Sequence, residues 1–486
     1  MYRINPDIQS AVATNGDKWV GFETVESAEV KVEYIVNHGL AGMMWWAMDL
    51  DDYSGIACGR GKYPLISGVK NMLDNWDDND HDDDDDDDDD ANPTQPPLKD
   101  HINVCYYTSW AQYRPDYKFV PEDIDANMCT HINYGFAFVN DWGTNVRTYE
   151  WNDLDMYKRV MAKRRENPDL KVMLSVGGWT HGTGPFAIAA ATDSSRRTFA
   201  QNSLQFIQDN DFDGIDIDWE YPGYTGHPTK KGTAADVANY VEFLKVLKDV
   251  YSRAGKLLTA AMGATPPRLD ESYPDTKTIC DTLDLIHLMT YDFHGGWEDV
   301  IGHHAAYTSD GRHPNDPDSL LTVKASTDHW INNGCDPHKM TMGFGAYGRV
   351  FKSLSGIPKR LEPGTARGIQ GPYTKESFQP NPIEFGTLPI LDSDLLKAHY
   401  RKMDMSDILK YVTGKKISTQ TFNQLLPSRV IDGLDLKLLK VQDQSFNIFS
   451  IMNWLVQCGG QWTWTIIPDA HVDWENTHLS KGSKIS

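Results

Sequence analysis

Residues 213 to 220 read Asp-Gly-Ile-Asp-Ile-Asp-Trp-Glu. Along a strand, successive side chains point to opposite faces, so Asp216, Asp218 and Glu220 share one face while Ile215, Ile217 and Trp219 share the other. Carboxylates two residues apart have backbones roughly 6.6 Å apart along the strand, near enough for their side chains to share a proton or repel one another. Repulsion and burial both raise a carboxyl pKa, which leaves the outermost acid protonated and able to donate near neutral pH. A solvent-facing acidic strand is a weaker account, because an opposite face of Ile, Ile and Trp needs a packed layer behind it. A calcium site is weaker too, since calcium takes six or more oxygens that loops supply better than one strand.

The elements that must position these acids alternate along the chain. Short strands rich in β-branched residues are predicted at Ile102 to Tyr107, His131 to Phe138, Lys171 to Val176, Gly214 to Trp219, Leu257 to Met262, Asp284 to Thr290 and Met340 to Ala346. Between them lie amphipathic segments. In the clearest, Asp236 to Arg253, the residues Val237, Tyr240, Val241, Leu244, Leu247 and Tyr251 fall on one helical face. Alternation at this pace predicts an α/β fold with a parallel sheet, an eight-stranded barrel short of one strand. Leu40 to Met48 is the eighth candidate. Barrel active sites lie at the carboxyl ends of the strands, and Glu220, Tyr291, Arg349 and Trp46 all stand at such ends.

The stretch Asp211-Phe-Asp-Gly-Ile-Asp-Ile-Asp-Trp-Glu-Tyr-Pro-Gly223 closely resembles the signature of glycoside hydrolase family 18, the chitinases. Lys171-Val-Met-Leu-Ser-Val-Gly-Gly-Trp179 resembles that family's third-strand motif, and Met289-Thr-Tyr-Asp-Phe-His-Gly-Gly-Trp297 its sixth. Gly343-Phe-Gly-Ala-Tyr-Gly-Arg349 is similar to the seventh, and Cys105-Tyr-Tyr-Thr-Ser-Trp-Ala-Gln-Tyr-Arg114 to the first. Five motifs in family order are far more specific than any one. The resemblance implies a TIM (β/α)8 barrel with a small α+β insertion after the seventh strand. It further implies endo-acting hydrolysis of β-1,4-linked N-acetylglucosamine polymers.

Most glycosidases flank the bond with two carboxylates, whereas here one acid, Glu220, stands where it can reach a glycosidic oxygen. The resemblance implies the substrate-assisted, retaining route. Glu220 protonates the leaving oxygen, and the substrate's 2-acetamido carbonyl attacks the anomeric carbon. Asp218 accepts the acetamide N–H and offsets the developing charge, Asp216 shares a proton with Asp218, and Asp213 braces the strand. By the same matching Tyr291 bonds the acetamide oxygen. Met289, Asp292, Tyr347 and Arg349 line the sugar sites, with Asp213 grouped among the substrate-binding positions. Trp46 matches the floor beneath the cleaved sugar, Tyr106 and Phe136 lie near that floor, and Trp110, Trp179 and Trp297 match aromatic positions along the groove. A chitin-binding lectin on the same scaffold and an inactive fragment are the alternatives. The first loses the catalytic Glu, which is present here.

The order of the chain departs from the family. Asp17-Lys-Trp-Val-Gly-Phe22, Ala28 to Val36 and Leu40 to Asp52 resemble the end of a module, namely the close of the insertion, the seventh helix and the eighth strand. Residues 101 to 373 then resemble its beginning. Residues 76 to 100, with nine consecutive Asp at 82 to 90, read as a disordered linker that cannot bury a core. Either the chain is a slice of tandem modules, or residues 1 to 75 fold back and complete a circularly permuted barrel, incomplete without them. After Tyr373 the resemblance stops, and residues 374 to 486 are an unassigned tail with helix-like patches such as Ser393 to Tyr400. Phe446 to Ile467 lacks charge over 22 positions, but two Gly with Asn, Gln, Ser and Thr make it a poor membrane span.

The formal charge of −23 argues against a nucleic-acid partner. Residues 74 to 100 hold 14 Asp and one Lys, so −13 of the −23 is local and −10 lies elsewhere. The 15 Trp and 22 Tyr suit a protein that stacks sugar rings as well as one with an aromatic core. Met1 to Ala13 does not read as a signal peptide, although the resemblance implies an extracellular, secreted protein. The resemblance pairs Cys105 with Cys129 in a disulfide, which fits an oxidising compartment. It leaves Cys58 unpaired unless Cys458 substitutes, while Cys280 and Cys335 carry no assignment. No metal site or cofactor is expected; His303-His304 is a bare pair read as loop surface. The expected partner is chitin or a chito-oligosaccharide, bound by a monomer.

Overall fold

The computed structural model describes residues 2–15, 18–57, 59–76, 101–114, 117–224, 232–297, 301–309 and 320–352, with two-residue strand pieces at 388–389, 430–431 and 434–435. Cys58, Cys458, the Asp-rich stretch from 77 to 100 and the segments Gly371 to Tyr373, Ser393 to Tyr400 and Phe446 to Ile467 lie outside the described residues.

In chain order the strands are β1 (Tyr2–Asn5), β2 (Ser10–Asn15), β3 (Lys18–Phe22), β4 (Gly42–Trp46), β5 (Ile102–Thr108), β6 (His131–Val139), β7 (Val146–Arg147) and β8 (Lys171–Gly177). They continue with β9 (Gly214–Asp218), β10 (Leu257–Met262), β11 (Leu285–Leu288), β12 (Met340–Gly345) and β13 (Tyr347–Lys352). Eight of these, β5, β6, β8, β9, β10, β11, β12 and β4, pair in parallel in that spatial order, and β4 pairs with β5 to shut the ring. The barrel is therefore closed, and its last strand comes from the front of the chain.

β4 reads Gly-Met-Met-Trp-Trp, and all but its last residue are buried, as expected of a strand covered on both faces. Its register sets Trp45 opposite Phe344 of β12 and Cys105 of β5. Trp45 is fully buried and stacks on Phe344 with ring centroids 4.8 Å apart. Helices Val25–Asn37 and Pro64–Asp74 cover this side of the barrel, burying Val32, Ile35, Leu65, Ile66 and Val69 in the same core as β5 and β6. Polar ties follow the same seam. Ala41 donates its N–H to the Pro337 carbonyl, Ile102 to that of Ala41, and the Tyr63 hydroxyl to that of Asp123. Arg114 pairs with Asp49 at 2.7 Å. Lys31, fully buried, pairs with Glu23 and also donates to the Ala305 carbonyl at 2.8 Å.

The small sheet is shared in the same way. β1, β2 and β3 form an antiparallel meander, and β13, which follows β12 in the central block, adds to β3 with Val350 opposite Val20. Trp19, Val12, Phe351 and Ile301 make a separate apolar cluster beneath this sheet. His303 packs edge-on against Trp19 at 4.8 Å and shares a hydrogen bond with Ser10 Oγ. His303 and His304 are 5 % and 1 % exposed, so the pair expected on a loop surface is an interior pair. It fills the junction between sheet and barrel because neutral imidazoles pack well against aromatic rings.

Two disulfides lie among the described residues. Cys105 bonds Cys129, joining β5 to the segment before β6, as the resemblance implied. Cys280 bonds Cys335 across a sequence separation of 55, a pairing for which the sequence offered no signal.

Candidate active site

Ile215, Ile217 and Trp219 point outward from the barrel and are buried. Trp219 stacks on Phe186 at 5.2 Å and its Nε1 donates to Thr183 Oγ1. With that face fixed, the acids have only the barrel interior to occupy. Gly177 brings the neighbouring strand close: a Cβ on it would lie 2.0 Å from the Asp218 carbonyl oxygen, to which Gly178 donates at 2.9 Å. Its φ of +120° also favours glycine.

Asp216 is the lowest acid and fully buried. It accepts hydrogen bonds from Tyr106 Oη (2.7 Å), Ser175 Oγ (2.8 Å) and Thr259 Oγ1 (2.7 Å), donors from β5 and from the two strands that flank β9. Asp218 stands above it, 4 % exposed, and its Oδ1 has no hydrogen-bond partner among the described residues. Burial, then the charges of Glu220 and Asp216, push the Asp218 carboxyl well above the usual carboxylate range. Glu220 lies beyond the last residue of β9 and is half-buried.

Across the mouth, Tyr291 follows β11. Its hydroxyl lies 3.8 Å from Met44 Sδ of β4, and burial, Tyr347, Asp218, Asp292 and Glu220 all hold its proton on. Asp292 accepts from Tyr347 Oη (2.6 Å) and from Arg349 Nε (2.8 Å) and Nη2 (2.6 Å). Burial pushes the Asp292 carboxyl up, but Arg349 outweighs it and the net direction is down. Met289 is half-buried at the same rim.

The aromatic floor comes from three strands. Trp46, the last residue of β4, stacks on Phe136 (5.7 Å, 23°), meets Tyr106 edge-on (5.4 Å) and approaches Trp110 (6.1 Å). Trp179 and Trp297 are 49 % and 54 % exposed, with Tyr224 6.3 Å from the first and the Arg349 guanidinium 5.4 Å from the second. Flat half-open indoles beside a carboxylate ladder can hold sugar rings by their apolar faces.

One grouped position falls elsewhere. Asp213 precedes β9, at the opposite end of the strand from Glu220, and its carboxylate binds Arg164 and the Val172 N–H (2.7 Å). It braces the strand and cannot line a groove at the carboxyl end. Three further residues join the site without a motif to announce them: Ser175 and Thr259, which hold Asp216, and His287, whose Nε2 lies 3.8 Å from Asp216 Oδ1. Ser175 and His287 were legible as the polar inward positions of strands otherwise apolar. No group of three or more His, Cys, Asp or Glu side chains suited to a metal occurs among the described residues.

A closed parallel eight-stranded barrel with a carboxylate ladder and an indole-lined mouth at its carboxyl end defines the class. Residues 102–424 match the family model described as glycosyl hydrolases family 18, and the chain belongs to that family. The match runs past Tyr373, where the motif resemblance ends. The chain is 37% identical over 289 residues to a Drosophila melanogaster protein named probable chitinase 2, covering 58% of this chain and 57% of that one. It is 37% identical over 281 residues to chitotriosidase-1 of Mus musculus, covering 56% and 59%. It therefore matches less than two thirds of the length of either relative. Among solved structures it is similar to the Group IV chitinase of Ostrinia furnacalis in complex with allosamidin, with a TM-score of 0.53, 32% identity and coverage of 62% and 78%. No helix among the described residues is long and apolar enough to cross a membrane.

Proposed function

We propose that the chain is an endo-acting chitinase that hydrolyses β-1,4-linked N-acetylglucosamine polymers with retention of configuration. Glu220 gives its proton to the glycosidic oxygen while the substrate's own acetamido oxygen attacks the anomeric carbon, forming an oxazolinium ion that water opens with Glu220 as base. Asp218 accepts the acetamide N–H and offsets the cation; Tyr291 donates to the acetamide oxygen. Trp46 underlies the sugar being cleaved, and Trp110, Trp179 and Trp297 hold its neighbours. The observation that carries this reading is Asp218 itself. It is a carboxyl buried between two others, with one oxygen free of partners among the described residues and its proton affinity raised. Such a group is poised to pass a proton to one neighbour and turn its bare oxygen to an incoming N–H.

The same reading makes the protein extracellular, in keeping with its disulfides, and a monomer. Its test is the release of product from a fluorogenic chito-oligosaccharide beside Glu220→Gln. Turnover that survives the substitution counts against Glu220 as the acid, and absence of turnover in the unaltered chain favours a chitin-binding protein.

A further inference from the structure

Across the mouth from the aromatic floor stands a cation to which the proposed mechanism gives no task. Arg268 follows β10, and its stem packs over Gly263, where a Cβ would lie 3.3 Å from Arg268 Cγ and 3.1 Å from Tyr221 Cε1. The guanidinium lies 4.2 Å from the Tyr224 ring centroid and 5.8 Å from that of Tyr221. Tyr224 meets Tyr221 edge-on at 6.0 Å and Trp179 at 6.3 Å, and Tyr221 hydrogen-bonds the Glu220 carboxylate. Arg268 and Glu220 thus belong to one contiguous cluster. A guanidinium stacked on a ring has its plane fixed and its N–H groups at the edge of the stack. Nη1 pairs with Glu271, while Nε and Nη2 make no hydrogen bond among the described residues. Arg349, by contrast, commits both Nε and Nη2 to Asp292.

The strand order fixes which sugar this cluster faces. Round the ring, β9 stands four strands from β4 and β10 four from β5, so Glu220 lies opposite Trp46, and Arg268 opposite Trp110. If Trp46 underlies the sugar being cleaved, the groups beside Glu220 and away from Trp46 meet the first sugar of the leaving fragment. We propose that Arg268 is a specificity-determining residue that admits an N-acetylated sugar at this position and excludes a deacetylated one. The inference rests on the proposed chitinase activity and on Glu220 as the acid. An acetamido carbonyl accepts a guanidinium N–H, whereas the ammonium of a deacetylated sugar has only donors and carries a like charge. The carboxylate ladder alone would attract that ammonium, and the fixed cation beside Glu220 opposes the attraction on this side. Glu271, exposed to solvent, offsets Arg268 only in part.

The test is digestion of partly deacetylated chitin by the full chain, by Arg268→Gln and by Arg268→Lys, with the new non-reducing ends of the products identified by mass spectrometry. Those ends are the sugars that lay beside Arg268. The ratio of deacetylated to acetylated ends is expected to rise about tenfold in Arg268→Gln and to stay near that of the unaltered chain in Arg268→Lys, which keeps the charge. An unchanged ratio in Arg268→Gln overturns the proposal, as does an equal rise in both variants. Binding of acetylated and of fully deacetylated hexasaccharide, followed by tryptophan fluorescence, decides it independently of turnover. The preference for the acetylated ligand is expected to narrow about tenfold in Arg268→Gln, and a preference that does not narrow refutes the assignment. A chain without turnover whose preference still narrows would refute the proposed chitinase activity and leave the selection by Arg268 standing.

Discussion

Trp46 and Phe136 lie with ring centroids 5.7 Å apart and planes 23° from parallel, one from β4 at the front of the chain and the other from β6 beyond the Asp-rich stretch. The mouth of the barrel is therefore built by both parts of the sequence. Trp46→Ala is expected to raise KM for chito-oligosaccharides about tenfold, the equivalent of roughly 1.4 kcal/mol of lost ring contact. Steady-state kinetics on soluble oligosaccharides read this directly.

Asp218→Asn tests the ladder without changing its shape. An amide cannot carry the negative charge that offsets the oxazolinium, so kcat is expected to fall about 10²- to 10³-fold with KM little changed. A fall in affinity with kcat preserved would assign Asp218 to ground-state binding alone.

Lys31 and Glu23 are 0 % and 1 % exposed, and Lys31 also donates to Ala305. Lys31→Ala leaves a buried carboxylate with no cation and is expected to cost about 3–5 kcal/mol, measured by urea denaturation. The double variant Lys31→Met, Glu23→Leu is expected to recover much of that loss, because it removes both charges together.

His303 and His304 give the fold a pH dependence. Burial holds both imidazoles down at about 3, against an ordinary value of 6.5. Between those values the unfolded chain binds protons that the folded chain refuses. Their contribution is thus fully present above pH 6.5 and is lost progressively as pH falls toward 3, with a slope of up to about 1.4 kcal/mol per unit for each imidazole. Thermal unfolding between pH 7 and 4 should show the decline, and His303→Gln should flatten it in part.

Strand periodicity and motif order made most of this legible. The strand Leu257–Met262 falls as its pattern predicts, and Gly42–Trp46 lies inside the eighth candidate Leu40 to Met48. The inward direction of Asp216 and Asp218 followed from alternation against Ile215 and Ile217. What the sequence left open depends on distant contacts. Cys280 and Cys335 carry no local sign of each other, since one lies on the helix Thr276–Thr282 and the other just after the helix Val323–Asn332. His303 and His304 read as surface because nothing nearby in sequence announces Trp19, which arrives from the front segment. Asp213 was grouped with the sugar contacts because it belongs to the acidic motif, whereas its place before the strand puts it at the far end of the barrel.

The central claim is that residues 2 to 76 complete both the barrel and the mouth of its site. The most direct test is turnover of a fluorogenic chito-oligosaccharide by the full chain, by a chain lacking residues 1 to 76, and by the latter with residues 1 to 76 supplied as a separate polypeptide. Loss of turnover on removal and its return on addition is the predicted result. Undiminished turnover without residues 1 to 76 would contradict the account.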